Sequence, residues 1–304
     1  MAPASTSHPV VCFGEVLWDI LPDKSLPGGA PMNVAYHLQK LGLQPALLSR
    51  VGNDDYGKKL IAMLSANQLH TDYVQVDDQH ETGLVHAHLE ANNEVRYDIV
   101  FPSAWDFIEM EARFAELIKA ATYFVFGSLA TRNKTSRDTL YALLENAQTK
   151  VLDINLRAPH YRQPLIEELL FKADILKLNE AELDMIAGWH DASTNREQQI
   201  QLLQDRFHIQ TIIVTMGGDG AMVATDGQVY YNPGYKVQVA DTIGSGDAFL
   251  AGFLYQLYNK MPLQKALDFA AALGALIATY PGACPAYDPA QITTLMMANQ
   301  QSAI

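Results

Sequence analysis

The sequence predicts an α/β protein with a mostly parallel central sheet, helices on both of its faces and a small β element set apart. Three observations predict it. Short apolar runs bounded by turn residues recur at Val10–Phe13, Ala46–Ser49, Tyr123–Phe126, Val151–Ile154, Ile175–Lys177 and Thr211–Thr215. Between them lie longer segments with helical spacing, among them Met32–Leu41, Gly57–Asn67, Arg137–Gln148 and Gln198–Arg206. Such alternation builds a parallel sheet covered by helices, with ligands beyond the carboxyl ends of the strands. Thr82 to Val100 breaks the pattern: Leu84, His86 and His88 alternate with Val85, Ala87 and Leu89, and Asn92-Asn93 reads as a hairpin turn. Finally, 304 residues at 49% hydrophobic composition can fill one large core, and no repeat, low-complexity tract or linker marks a boundary. A single domain over residues 1–304 is expected, with a lid formed mainly by residues 82–100 and part of 14–30.

The charge balance narrows the partners. Formal net charge is −13, from 34 acidic and 21 basic residues. Nucleic acid and anionic membranes need clustered Lys and Arg, so neither is expected. A bound polyphosphate must instead be held locally, by backbone N–H groups, a metal ion or a single Arg. The two cysteines, Cys12 and Cys284, form no Cys-x-x-Cys pair. Residues 1–9 lack a cationic stretch and an apolar run, and no apolar segment is long enough to span a bilayer. A cytoplasmic protein with reduced thiols is expected.

The stretch richest in chemistry is Asp241-Thr-Ile-Gly-Ser-Gly-Asp-Ala-Phe-Leu-Ala-Gly252. Gly244, Ser245 and Gly246 precede an apolar helical run. A helix starting there presents unpaired N–H groups and the positive end of its dipole, which together favour an anion. Small residues let a phosphate approach the backbone closely. Asp247 falls in the first turn, where a carboxylate is either a helix cap or a general base. A cap needs no glycines ahead of it, whereas a phosphate does.

This segment resembles the C-terminal signature of the PfkB (ribokinase-like) carbohydrate kinases. Gly28-Gly29-Ala-Pro-Met-Asn33 matches their second signature, a Gly-Gly pair closely followed by Asn, and the two lie in the expected order. The resemblance covers nearly the whole chain and implies a ribokinase-like three-layer α/β/α fold with a small β lid. It implies that Asp247 is the catalytic base, with Gly244, Ser245 and Gly246 supplying N–H donors to the transferring phosphoryl group. Asp19 matches the substrate-binding Asp, and Gly28, Gly29 and Asn33 match the sugar pocket. Asn179 and Glu182 match an Asn-x-x-Glu motif in which Glu182 organises Mg²⁺ through water and Asn179 lies near the nucleotide phosphates. Read by itself, that pair is also a capping box. Thr215, Gly217, Gly218 and Gly220 resemble the nucleotide loop. Arg157, in Asp153-Ile-Asn155-Leu-Arg157, resembles a fructokinase segment whose Arg binds the γ-phosphate. Asp241 and the Ile243 carbonyl match monovalent-cation positions, although Ala286 lacks the hydroxyl that potassium-binding relatives carry.

The resemblance therefore implies an ATP- and Mg²⁺-dependent sugar kinase, nearest to fructokinases that form fructose 6-phosphate. Ribose, 2-keto-3-deoxygluconate and nucleosides remain as acceptors within the family. A silent sugar- or nucleotide-binding regulator on the same fold is a separate class. K⁺ activation and a homodimer through an apolar face of the lid at Val85 and Ala87 are further implications. Gly52-Asn-Asp-Asp-Tyr-Gly57-Lys58-Lys59 falls short of a Walker A loop, because Lys59 stands where Ser or Thr must hold Mg²⁺. His86 and His88 have no third ligand nearby in sequence. His80, His190 and His208 show no sequence partner, and Trp105 and Phe107 read as core residues.

Overall fold

Val10, Val11, Cys12 and Phe13 are all fully buried, which requires a strand covered on both faces. The computed structural model describes residues 8–89, 95–191 and 195–301. Its elements run β1 (Val10–Phe13), β2 (Leu17–Ile20), β3 (Ser25–Gly28), α1 (Ala30–Lys40), β4 (Ala46–Gly52), α2 (Asp55–Ala66), β5 (Val74–Asp77), β6 (Gly83–Leu89), β7 (Val95–Ile99), α3 (Ala112–Ala120), β8 (Tyr123–Gly127) and α4 (Lys134–Leu144). They continue as β9 (Thr149–Asp153), α5 (Gln163–Leu170), β10 (Ile175–Asn179), α6 (Glu180–Gly188), α7 (Arg196–Phe207), β11 (Thr211–Thr215), β12 (Ala221–Thr225), β13 (Gln228–Asn232), α8 (Ser245–Tyr258), α9 (Leu263–Ile277) and α10 (Ala290–Gln301).

Nine strands form one sheet in the order β13-β12-β11-β10-β9-β8-β1-β4-β5. Every pairing is parallel except β11 with β12 and β12 with β13, which add an antiparallel edge. The two-residue side-chain period then divides the core. Val10, Cys12, Val125, Val151 and Ile213 pack with α1, α2, α8 and α9 on one face. Val11, Phe13, Phe124, Phe126, Leu152 and Val214 pack with α3 to α7 on the other. The result is the expected three-layer α/β/α arrangement.

A second sheet, β3-β2-β6-β7, stands apart over the carboxyl ends of the central strands. Leu17, Val85, Ile99, Trp105 and Leu129 form its own small core. The sequence-based expectation placed Val85 on an exposed face available to a second copy. Val85 is instead only 6% exposed, since its side of the sheet is turned inward. The expected turn at Asn92-Asn93 lies outside the described residues, as do the burial states of Ala87 and His88.

The helices begin earlier than periodicity indicates. Asp54, Asn133 and Asn195 accept backbone N–H bonds as N-caps of α2, α4 and α7, and their polar first turns carry no apolar rhythm. Asp54 also removes any resemblance to a phosphate loop. Its carboxylate accepts from Gly57 N (2.7 Å), Thr82 N (2.7 Å) and Thr82 Oγ1 (2.8 Å), stapling α2 to the start of β6. A side chain at Gly57 would meet the Gly52 carbonyl at 2.1 Å, so that glycine serves close packing. Other sequence features also find structural partners. His80 pairs with Asp77 at 3.0 Å and stacks on Phe107, and His208 ends α7 in the left-handed conformation.

Replacing Asp54 by Ala should destabilise the protein by roughly 1–2 kcal/mol, the usual worth of a lost N-cap. A denaturant midpoint equal to that of the parent would show that the staple carries no stability.

Candidate active site

A cavity of about 580 Å³ opens where the carboxyl ends of β1, β9, β10 and β11 face the small sheet. It falls within the volume range of small-molecule sites. On its lid side it is lined by Leu17, Asp19, Val85, Tyr97 and Ile99, and on its core side by Glu15, Gly29, Asn33, Asp153, Arg157, Lys177, Asn179, Glu182, Thr215, Gly244, Gly246 and Asp247.

The α8 N-terminus is built by a turn that only glycine fits. Gly244 has φ 75°, and a Cβ there would meet Ala283 at 2.5 Å. Asp241 braces the turn: Oδ1 accepts from Ile243 N and Oδ2 from Gly282 N, both at 3.0 Å. Ser245 does not join the cavity. Its N–H donates to the Thr242 carbonyl (3.2 Å) and its hydroxyl to the Gly274 carbonyl (2.9 Å). Among the described residues, the N–H groups of Gly244, Gly246 and Asp247 have no hydrogen-bond partner. Three N–H groups thus stand free at this turn, while Ser245 anchors the turn and does not line the cavity.

Asp247 is half-buried at the cavity wall. Asn33 Nδ2, from α1, donates to its Oδ2 at 2.8 Å, while Asn33 Oδ1 accepts from the Cys284 thiol at 3.3 Å. The Gly-Gly-x-x-x-Asn segment and the glycine-rich turn therefore meet in one hydrogen bond. Loss of water pushes the Asp247 carboxyl up to about 6, and neighbouring Asp153 adds to the rise. Lys177, Asn33 and Arg157 oppose it.

Lys177 went unremarked in the sequence, as the last residue of an apolar strand. It is buried, and the parallel register of β9 and β10 sets it directly beside Asp153. Its Nζ donates to both Asp153 carboxylate oxygens, at 2.8 and 2.9 Å. A Cβ on Gly246 would lie 3.3 Å from that Nζ, so the ammonium sits against the anion hole. A cationic residue within an otherwise apolar strand was the signal for it. Glu15 was also missed. It is buried, its Oε1 accepts from Ala30 N at 3.3 Å, and its Oε2 has no partner among the described residues. Burial pushes its carboxyl up to about 7.

The sugar-side expectations converge. Asp19 leaves β2 facing the cavity, and burial raises its carboxyl to about 6 against the pull of Arg157. Gly28 packs against that carboxylate, where a Cβ would lie 2.5 Å from Asp19 Oδ2, and Gly29 takes φ 117° across the Glu15 carbonyl. Glu182 and Asn179 form the reciprocal capping box at the start of α6. Glu182 also accepts from Leu156 N at 2.8 Å and is raised by burial and by Asp153. Cap and cavity residue are one and the same here. Arg157 is exposed, and Asn155 before it adopts φ 43°, a conformation Asn tolerates.

The nucleotide loop is only partly brought in. Thr215 lines the cavity. Gly217 and Gly218 border open space, while a side chain at Gly220 would strike the Asn232 carbonyl at 1.9 Å, so Gly220 serves the turn into β12. No helix among the described residues is long and apolar enough to cross a membrane.

A fructokinase of Klebsiella pneumoniae is 32% identical over 90% of this chain and 94% of its own. The ATP-bound fructokinase structure from Xylella fastidiosa superposes with a TM-score of 0.85 at 25% identity, covering 96% of this chain and 98% of that one. The Vibrio cholerae O395 fructokinase bound to fructose, ADP and calcium gives a TM-score of 0.81 at 28% identity, covering 96% and 100%. The pfkB family carbohydrate kinase profile matches residues 13–290. With both family signatures meeting at Asp247, the chain belongs to the pfkB family of carbohydrate kinases.

Proposed function

We propose that this enzyme phosphorylates D-fructose to fructose 6-phosphate with ATP as donor. The observation that carries the reading is the Asp247 carboxylate, held by Asn33 beside three unpartnered N–H groups at the start of α8. The fructokinases bound to fructose and to ATP support the choice of substrates.

Asp19 from the lid side and the free donor of Asn33 from the core side orient the sugar. The attacking hydroxyl donates to Asp247. As its oxygen bonds to the γ-phosphorus and the bond to the departing nucleotide breaks, the proton passes to Asp247. The Gly244, Gly246 and Asp247 N–H groups, with Lys177 and Arg157, face the charge that spreads over the phosphoryl oxygens. The small sheet acts as a lid that excludes water, the competing acceptor.

Five carboxylates and two cations line the cavity, so an uncompensated triphosphate meets net repulsion. Among the described residues no three His, Cys, Asp or Glu side chains converge to hold a metal alone. That arrangement fits Mg²⁺, which binds through one or two carboxylates, substrate phosphates and water. Glu182 is the residue placed to orient its water shell, and the ion would neutralise phosphate charge. Asp241 holds two N–H groups and braces the turn; its remaining lone pairs and the Ile243 carbonyl would serve a monovalent ion, which would add to that brace.

Asp247→Asn should lower kcat by about 10²- to 10⁴-fold with thermal unfolding unchanged. Turnover near the parent level would remove Asp247 as base. Because the base must be ionised, kcat/KM should fall as pH drops through about 6, the Asp247 value, by roughly tenfold per unit below it. A flat profile down to pH 5 in folded protein would contradict this. Arg157→Gln should cost about 10²-fold in kcat, leaving the fructose KM little changed. A panel of fructose, ribose, 2-keto-3-deoxygluconate and nucleosides, read by ADP release, tests the acceptor: preference for any but fructose overturns the assignment.

A further inference from the structure

A second cavity, about 330 Å³, is lined by Phe101, Arg132, Arg137, Pro159, His160, Tyr161, Arg162 and Leu165. None of these residues takes part in the kinase reading. Three of the nine arginines of a chain with net charge −13 gather here, which concentrates positive charge against the trend of the molecule. Only Arg132 is neutralised. Its Nε and Nη2 donate to Asp106 at 2.7 Å each, and Nη2 also donates to the Val100 carbonyl. Its side chain is 3% exposed and its guanidinium lies over the Trp105 ring at 4.0 Å, yet Nη1 has no hydrogen-bond partner among the described residues. An unpartnered buried donor is costly unless something else satisfies it. Arg137 and Arg162 form no ion pair among the described residues, and Arg137 donates only to the Thr131 carbonyl at 3.1 Å.

Two further features have the same sign. Arg162 is the N-cap residue of α5, and no side chain caps that helix, so the positive end of its dipole opens beside the cavity; the one N–H free there among the described residues is that of Gln163, because Pro164 carries none and Leu165 N donates to the Arg162 carbonyl. Tyr161 offers a hydroxyl. His160 is held below its ordinary range by burial and by Arg132, so it is a neutral donor or acceptor. Phe101, Pro159 and Leu165 add an apolar wall. Planar guanidinium groups arranged about a small volume suit a tetrahedral oxyanion, and the apolar wall suits a short carbon skeleton attached to it.

We propose that this cavity is a second ligand site, taking a phosphate group either free or as the monoester of a small metabolite. It adjoins the active site through shared segments. Leu129 lines one cavity and Arg132 the other, Ile99 one and Phe101 the other, Arg157 one and Pro159 to Arg162 the other.

The test is calorimetric titration of the full chain with inorganic phosphate and, separately, D-fructose 6-phosphate. It needs no turnover, so it stands or falls apart from the kinase reading. Arg162→Gln alters an exposed side chain and should keep the fold; Arg137→Gln/Arg162→Gln removes both unpaired charges. Phosphate affinity should fall about tenfold or more for each arginine lost, and binding should survive Arg157→Gln, which touches only the active site. Equal affinity for both probes identifies free phosphate as the ligand; tighter binding of the monoester that is lost in Arg137→Gln/Arg162→Gln and kept in Arg157→Gln identifies a sugar phosphate. Unchanged affinity in Arg137→Gln/Arg162→Gln, or loss confined to Arg157→Gln, would falsify the site.

Discussion

One buried ammonium, that of Lys177, sets the electrostatics on which the active site depends. It is doubly bonded to Asp153 and lies against Gly246, within reach of Asp247 and Glu182. Burying a lone charge is prohibitive, so Lys177 and Asp153 hold each other in place. Without that ammonium the carboxylates at the carboxyl ends of β9 and β10 and at the start of α8 would keep, among the described residues, only exposed Arg157 as a neighbouring cation against their mutual repulsion. With it, Asp247 is raised only to about 6 and remains ionised at neutral pH, which its proposed role as base requires.

The small sheet supplies the other half of the site. Glu15 and Asp19 enter through β1, β2 and their connection, and both carboxyls are raised by burial. Polyol hydroxyls are natural partners for such groups, because each can donate to a carboxylate that water no longer satisfies. Gly28 and Gly29 let this wall close on the start of α1, which brings Asn33 to Asp247. Under the proposed function, a sugar seated here would touch both the small sheet and the turn before α8, so binding would also align it with Asp247.

Several residues carry two duties. Glu182 caps α6 and lines the cavity; Asn33 lines the cavity and holds the Asp247 carboxylate; Asp241 braces the glycine turn whose N–H groups stand free. In each case a local hydrogen bond fixes the rotamer of a group whose remaining capacity faces the ligand. Such preorganisation spares reorganisation during reaction.

The sequence by itself determined the layered α/β fold and the glycine turn ahead of Asp247, since both are written in local terms; the role of Asp247 came from the resemblance. Apolar runs and helical periods are short-range patterns, and a glycine turn opening a helix makes an anion site wherever it folds. Only the tertiary structure decided which glycines serve the ligand. Gly244 and Gly246 line the cavity, whereas Gly57 and Gly220 answer to packing against the Gly52 and Asn232 carbonyls. It also decided that Ser245 turns from the cavity, that Val85 faces inward, and that Lys177 and Glu15 belong to the site. Burial, register and charge pairing join residues far apart in the chain, and no local pattern records which of them will meet.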